Sequence, residues 1–384
     1  MRIAVIGASG FVGATLVERL LSRDGAEVVP FIHSSGNAMR LARRNLPLRM
    51  LNLLDAGQVE AALKGVTHVV NCSRGDDAVM LTGLRHLLTA ARKQRVERFV
   101  HLSSVAVYGD PPPAESTRET APTRPAAGSY GAVKLKQDDM VAAAAASGLR
   151  STILCPPNIA GPYSFFLVGL VGLLRAGRFA LLEDGDAPCN LVDVTNLCHG
   201  IELALINGAG DGKRMFITDD EHTSWSRVIE SLLPLVASVR AVPRVSREEL
   251  ERTDGAPNKR ISLGRSLKHI VSSDVREALR KDPLWKKVDV TLRRIVTRLG
   301  KEREDALRLS VEGPLKVTPA APPFDTALCR QQLRGVVHSS ELAKQTIGYK
   351  PVFSVDEGME AFRNWYRIEH GMNTAAWPLL EQLY

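Results

Sequence analysis

The chain has 384 residues, 45% hydrophobic and 24% charged, a balance that suits a globular protein able to bury a sizeable core in two lobes. Its five scattered cysteines and nine histidines show no ligand spacing, which excludes a disulfide framework and a zinc site and fits a reducing, cytoplasmic location. The formal charge of +8 favours anionic ligands, while the lack of zinc-finger spacing or an RNA-binding aromatic signature sets nucleic acid aside.

The opening RIAVIG (2–7) reads as a buried strand rather than a secretory leader, followed by a helix over FVGATLVERLLSR (11–23). AEVVPFIH (26–33) and LPLRMLNLL (46–54) are the next strands, with a helix through VEAALKG (59–65). THVVNCS (67–73), a helix over LTGLRHLLTAARKQ (81–94) and RFVHLSS (98–104) continue the alternation. YGAVKLKQDDMVAAAAASG (130–148) is a helix closed by Gly148, and STILCPPN (151–158) is a sixth strand. Strands separated by helix-length stretches predict right-handed βαβ units, hence an α/β chain with a doubly wound, parallel Rossmann sheet.

Past residue 162 the rhythm changes. The dinucleotide-binding domain is expected over 1–162, with 189–207 returning to it, and a smaller C-terminal substrate lobe over 163–188 and 208–384. The apolar run FFLVGLVGLL (165–174) is too short to span a bilayer. MFITDDEHTSWSRVIESLLPLV (215–236) predicts a strand, a turn and a helix entered near Ser224, and residues 338–367 predict two short helices. Residues 244–316 form a basic, mainly helical insert. Its Leu284, Trp285, Val288, Leu292, Ile295, Val296 and Leu299 recur at helical spacing. This stripe could rest peripherally on an anionic membrane; the favoured reading packs it on the second lobe or on the partner of a homodimer.

The chemistry begins at Gly7-Ala-Ser-Gly10-Phe-Val-Gly13, which closes the first strand and opens the first helix. A tight turn there needs glycine, and a diphosphate can then reach the unpaired N–H groups of the helix. No carboxylate stands between Phe31 and Arg44 at the end of the second strand, where an acid would contact an adenosine ribose. Ser34, Ser35 and one of Arg40, Arg43 and Arg44 could instead hold a 2′-phosphate, which favours NADP slightly over NAD.

With these motifs in place the chain resembles the extended short-chain dehydrogenase/reductase family, of the nucleotide-sugar epimerase/dehydratase type. GASGFVG matches its glycine motif, HLSSVAVYG (101–109) its Ser/Thr-x-x-x-Tyr-Gly motif, SYGAVK its Tyr-x3-Lys, and PPNIAGP (156–162) its Pro-x-Asn-x-x-Gly-Pro turn. The resemblance implies cofactor contacts from Gly7, Ser9, Gly10, Phe11, Val12 and Gly13, from His33, Ser34, Ser35 and Arg40, from Asn52, Leu53, Cys72 and Ser73, and from Pro156. It makes Tyr130 the acid/base and Ser104 the residue that orients the substrate oxygen. Lys134 shares a helix face with Tyr130, and its ammonium would favour the phenolate and bond the nicotinamide ribose. Asn158 would contact the substrate.

Departures from the pattern narrow the reaction. Val105 and Ala106 stand where family dehydratases carry Asp-Glu, which argues against dehydration. Cys155 and Cys189 stand where nucleotide-sugar enzymes typically carry Arg, and a thiol cannot replace a guanidinium on a diphosphate. The expected activity is hydride transfer between a nicotinamide cofactor and a secondary alcohol/ketone pair, on a sugar or sugar-like small molecule. A nucleotide-sugar 4-epimerase and a non-catalytic dinucleotide-sensing regulator are the alternatives.

Overall fold

The computed structural model describes residues 1–34, 38–42, 44, 46–208, 210–236, 241–255 and 324–370. Its centre is a seven-stranded sheet built from β1 (Arg2–Ile6), β2 (Glu27–Ile32), β3 (Arg49–Met50), β4 (His68–Asn71), β5 (Arg98–Leu102), β6 (Ser151–Cys155) and β10 (Asp211–Phe216). Every neighbouring pair runs parallel, in the order β10-β6-β5-β4-β1-β2-β3.

The strands show the two-residue period of a sheet buried on both faces. Ile3, Val5, Val70, Val100 and Leu154 enter the core under α1 (Phe11–Leu20), α7 (Val194–Asn207) and α11 (Glu341–Ile347). Ala4, Ile6, Val69, Phe99 and Ile153 enter the opposite core under α3 (Ala56–Ala62), α4 (Leu84–Lys93) and α5 (Tyr130–Ala146). The doubly wound sheet expected from the alternation is the one observed.

The seventh strand falls within the stretch expected in the second lobe: Asp211–Phe216 pairs with β6 at the sheet edge. An edge strand carries charge on its open side, and the run DGKRMF hides its strand character behind Asp211, Lys213 and Arg214.

A third core joins α6 (Phe165–Arg175), α8 (Trp225–Leu232) and α12 (Val355–Glu369) through Leu167, Leu170, Trp225, Val228, Met359 and Phe362. α6 is the apolar run noted above, its Leu167, Leu170, Val171 and Leu174 buried in this lobe. Asn196 of α7 ties the lobe's last helix in place. Its Oδ1 accepts the N–H groups of Val352 and Phe353, and its Nδ2 donates to Phe353 O and to Asp219. Removing so fully bonded a buried amide would strand several polar groups, at about 1–3 kcal/mol each.

Residues 247–326 belong to a second unit, opened by α9 (Arg247–Gly255). The basic stripe at 284–299, with the membrane and dimer readings built on it, lies outside the described residues. Among the described residues no helix is long and apolar enough to cross a membrane.

Candidate active site

The chain runs outward from β1 to β3 and then crosses back to β4, so the crevice at the C-terminal ends of β1 and β4 is the sheet's switch point. Gly7 leaves β1 there with φ +78°, and a side chain on it would press within 3.0 Å of the Cys72 and Ser73 backbone at the end of β4. Gly13 is tighter still: a Cβ would lie 2.2 Å from the Gly7 carbonyl oxygen. Gly10 caps α1 without a side-chain acceptor, so the first-turn N–H groups and the positive end of the helix are left for a ligand. A cradle that any Cβ would fill, beside an uncapped helix end, fits the diphosphate of a dinucleotide.

A cavity of about 440 Å³ opens beside this cradle. Of the residues expected to bind cofactor, Gly7, Ser9, Gly10, His33, Ser34, Asn52, Leu53, Cys72 and Ser73 line it. Phe11, Val12 and Gly13 form the first turn of α1 rather than the cavity wall, with Phe11 and Val12 packed on the core. Pro156 lines neither this cavity nor the next: it is buried, and its carbonyl accepts the Val105 N–H at 3.2 Å. Arg40 also stands apart, because its guanidinium is ion-paired with Glu18 and stacked 4.4 Å over the Tyr163 ring. Ser35 and Arg43 lie outside the described residues.

A second cavity, about 530 Å³, is lined by Ser104, Tyr130 and Asn158 together. Ser104 caps the short turn Val105–Tyr108, its Oγ accepting the Ala106 N–H at 3.2 Å. Tyr130 is the first residue of α5, capped by Ser129. Gly131 lets the two elements meet, since a Cβ there would lie 2.2 Å from the Ala106 carbonyl oxygen. The glycine inside SYGAVK therefore brings the Tyr130 turn against the Ser104 turn. Tyr108, the other motif tyrosine, is fully buried and donates to Glu119 O at 2.8 Å, a structural role.

Lys134 is buried one turn along α5, with Nζ donating to Leu102 O at 2.8 Å and lying 5.9 Å from the Tyr130 ring centroid. Desolvation pushes its ammonium down to about 8, opposed first by Asp138. Asp138 lies one turn further on, 1% exposed, and accepts from Arg214 Nε of β10 at 2.8 Å. Tyr130 is 41% exposed, and its phenol is held above the ordinary value by desolvation. The neighbouring cation that opposes this rise is Arg74 rather than the expected Lys134.

Sequence reasoning missed Arg74, which lines both cavities and places its guanidinium 5.2 Å from the Tyr130 ring centroid. Its place three residues beyond β4, in the loop at a strand's C-terminal end, was a usable signal, because ligands bind at such loops. Arg334, His338 and Trp225 of the second cavity come from segments with no motif at all. Cys189 lines this cavity as a buried thiol pushed well up by desolvation. Among the described residues no cluster could hold a metal ion.

Comparison with known proteins agrees with this geometry. A model described as the NAD dependent epimerase/dehydratase family matches residues 3–217. A 4-hydroxy-2-methyl-3-oxo-4-farnesyl-3,4-dihydroquinoline-1-oxide ketoreductase of Stigmatella aurantiaca is 29% identical over 231 residues, 57% of this chain and 68% of the relative. Sterol demethylase protein B of Methylococcus capsulatus is 30% identical over 261 residues, 64% of this chain and 77% of the relative. The solved structure of dTDP-glucose 4,6-dehydratase from Bacillus anthracis, in complex with NAD, shares the fold at a TM-score of 0.64 and 16% identity, with 98% of each chain covered.

Proposed function

The chain belongs to the NAD dependent epimerase/dehydratase family, and from that premise we propose that it moves a hydride between a nicotinamide cofactor and a secondary alcohol/ketone pair on a sugar or sugar-like small molecule. The observation that carries this reading is the meeting of two cavities at Arg74. One is lined by the glycine cradle, the other by Ser104, Tyr130 and Asn158. The name of the ketoreductase relative supports a ketone as the reducible group.

NAD(P), when bound, supplies or accepts the hydride. Tyr130 gives its hydroxyl proton to the substrate oxygen as the ketone is reduced and takes it back in the reverse direction. Ser104 Oγ orients that oxygen. Arg74 places a positive charge near the phenol, which favours phenolate once the proton has left. Asp138, anchored by Arg214, keeps Lys134 charged. Val105 and Ala106 offer no carboxylate for water elimination.

We infer a preference for NADP because the end of β2 carries no carboxylate to repel a 2′-phosphate and Ser34 lines the cofactor cavity. Arg40 is ion-paired with Glu18, so this preference does not rest on it. Five scattered cysteines without disulfide spacing support a reducing, cytoplasmic location.

The test is to saturate the purified full chain with NADPH and follow its absorbance while ketones, including keto sugars, are added. Oxidation of NADPH by any of them supports the reading. No oxidation by any ketone, together with tightly retained cofactor and inversion of a sugar hydroxyl, would move the chain to the epimerases.

A further inference from the structure

We infer that Arg74 holds a carboxylate on the substrate next to the reacting carbon, so that this protein acts on hydroxy and oxo monocarboxylic acids, sugar acids included. The inference narrows the oxidoreductase reading above and rests on it.

Arg74 follows β4 and lines both cavities, 5.2 Å from the ring centroid of Tyr130. A group on its guanidinium would therefore lie beside the acid/base. The other cations nearby are already engaged. Arg334 grips Asp110 through two bonds of 2.7 and 2.5 Å, and Lys134 donates to Leu102 O. Among the described residues Arg74 has neither an ion pair nor a hydrogen bond; its guanidinium stands over the face of Tyr130.

The charged residues lining the substrate cavity are Arg74, Asp110 and Arg334, and the last two cancel. One uncompensated positive charge remains, which matches a single carboxylate. A diphosphate would bring about two negative charges to a wall where Cys189 offers only a neutral thiol. The planar fork of a guanidinium takes a carboxylate through two parallel bonds. Much of the remaining wall is apolar, from Val105, Ala106, Pro125, Pro188, Trp225 and Val336, and suits the uncharged body of an acid. Arg74 is exposed, so water screens part of the attraction, and the expected preference is about tenfold rather than a thousandfold.

The test is calorimetric titration of the full chain by NADPH and, once it is saturated with NADP+, which cannot reduce a ketone, by two matched pairs of probes. These are phenylpyruvate against its methyl ester, and dihydroxyacetone phosphate against dihydroxyacetone. Wild-type protein is expected to bind phenylpyruvate about tenfold more tightly than the ester. With the cofactor saturating in each variant, Arg74→Gln should bring that ratio to about one and Arg74→Lys should keep part of it. Equal binding of acid and ester by the wild type, or no binding of either, overturns the inference. So does a phosphate preference larger than the carboxylate one. A loss confined to NADPH in Arg74→Gln would assign the residue to the cofactor and overturn it as well. If NADPH does not bind even the wild type, the oxidoreductase reading itself fails.

Discussion

Replacing Lys134 with Met removes a buried ammonium that the fold holds at a cost. The side chain is 4% exposed, and burial brings its amine from 10.5 to about 8 despite support from Asp138; Arg74 pushes it further down. A fall of that size corresponds to about 3 kcal/mol of instability while the amine is charged in both folded and unfolded chains. Methionine has nearly the same length and forfeits the bond to Leu102 O, worth about 1 kcal/mol. The net expectation is a gain of about 2 kcal/mol, or roughly 2–3 °C in melting temperature for a protein of this size.

The gain depends on pH in a definite direction. Below about pH 8 the whole cost is present in the wild type. Between about pH 8 and 10.5 the folded chain loses the proton while the unfolded chain still holds it, so wild-type stability rises with pH. Thermal melts of Lys134→Met and wild type at about pH 7 and about pH 10 should therefore show a gap that closes at the higher pH, with turnover lost throughout. A variant less stable than wild type at about pH 7, or a gap unchanged at about pH 10, would refute the reasoning.

Three further outcomes are expected. Gly13→Ala must move α1 off β1 by about 1 Å to relieve a 2.2 Å contact, so NADPH binding should weaken by at least about 100-fold in titration and the melting temperature should fall. Wild type should bind NADPH more tightly than NADH, and Arg40→Ala should leave the ratio of the two dissociation constants within about twofold, because Glu18 already occupies that guanidinium. Asp138→Asn removes the largest support for the Lys134 charge, so its amine falls below about 8 and the alkaline limb of the kcat/KM profile should move to lower pH.

The sheet and its glycine turn could be read from the chain because their causes are local. Ile3, Val5 and Ile6 are apolar on both faces, and Gly7, Gly10 and Gly13 stand where a Cβ would touch backbone. Ser104 and Tyr130 could likewise be placed on one cavity from their motifs. Residues whose surroundings come from distant segments were less legible. Arg40 had a partner one helix away in Glu18, and no spacing rule weighs that competition. Pro156 became part of the core because the following residue, not Pro156 itself, faces the cavity. The seventh strand was hidden by its edge charges, among them Arg214, which Asp138 then uses as an anchor. Arg74 belongs to no motif, and its importance comes from two cavities that exist only once β1 and β4 lie side by side.

The most direct test is Tyr130→Phe, followed by calorimetric NADPH binding and by hydride transfer to any substrate the wild type turns over. The hydroxyl is the group assigned to proton exchange, while the cofactor cavity is built from other residues. Cofactor affinity should stay within about twofold of wild type, and turnover should fall by about a thousandfold. Turnover within about tenfold of wild type would contradict the assignment and move the proton to another group.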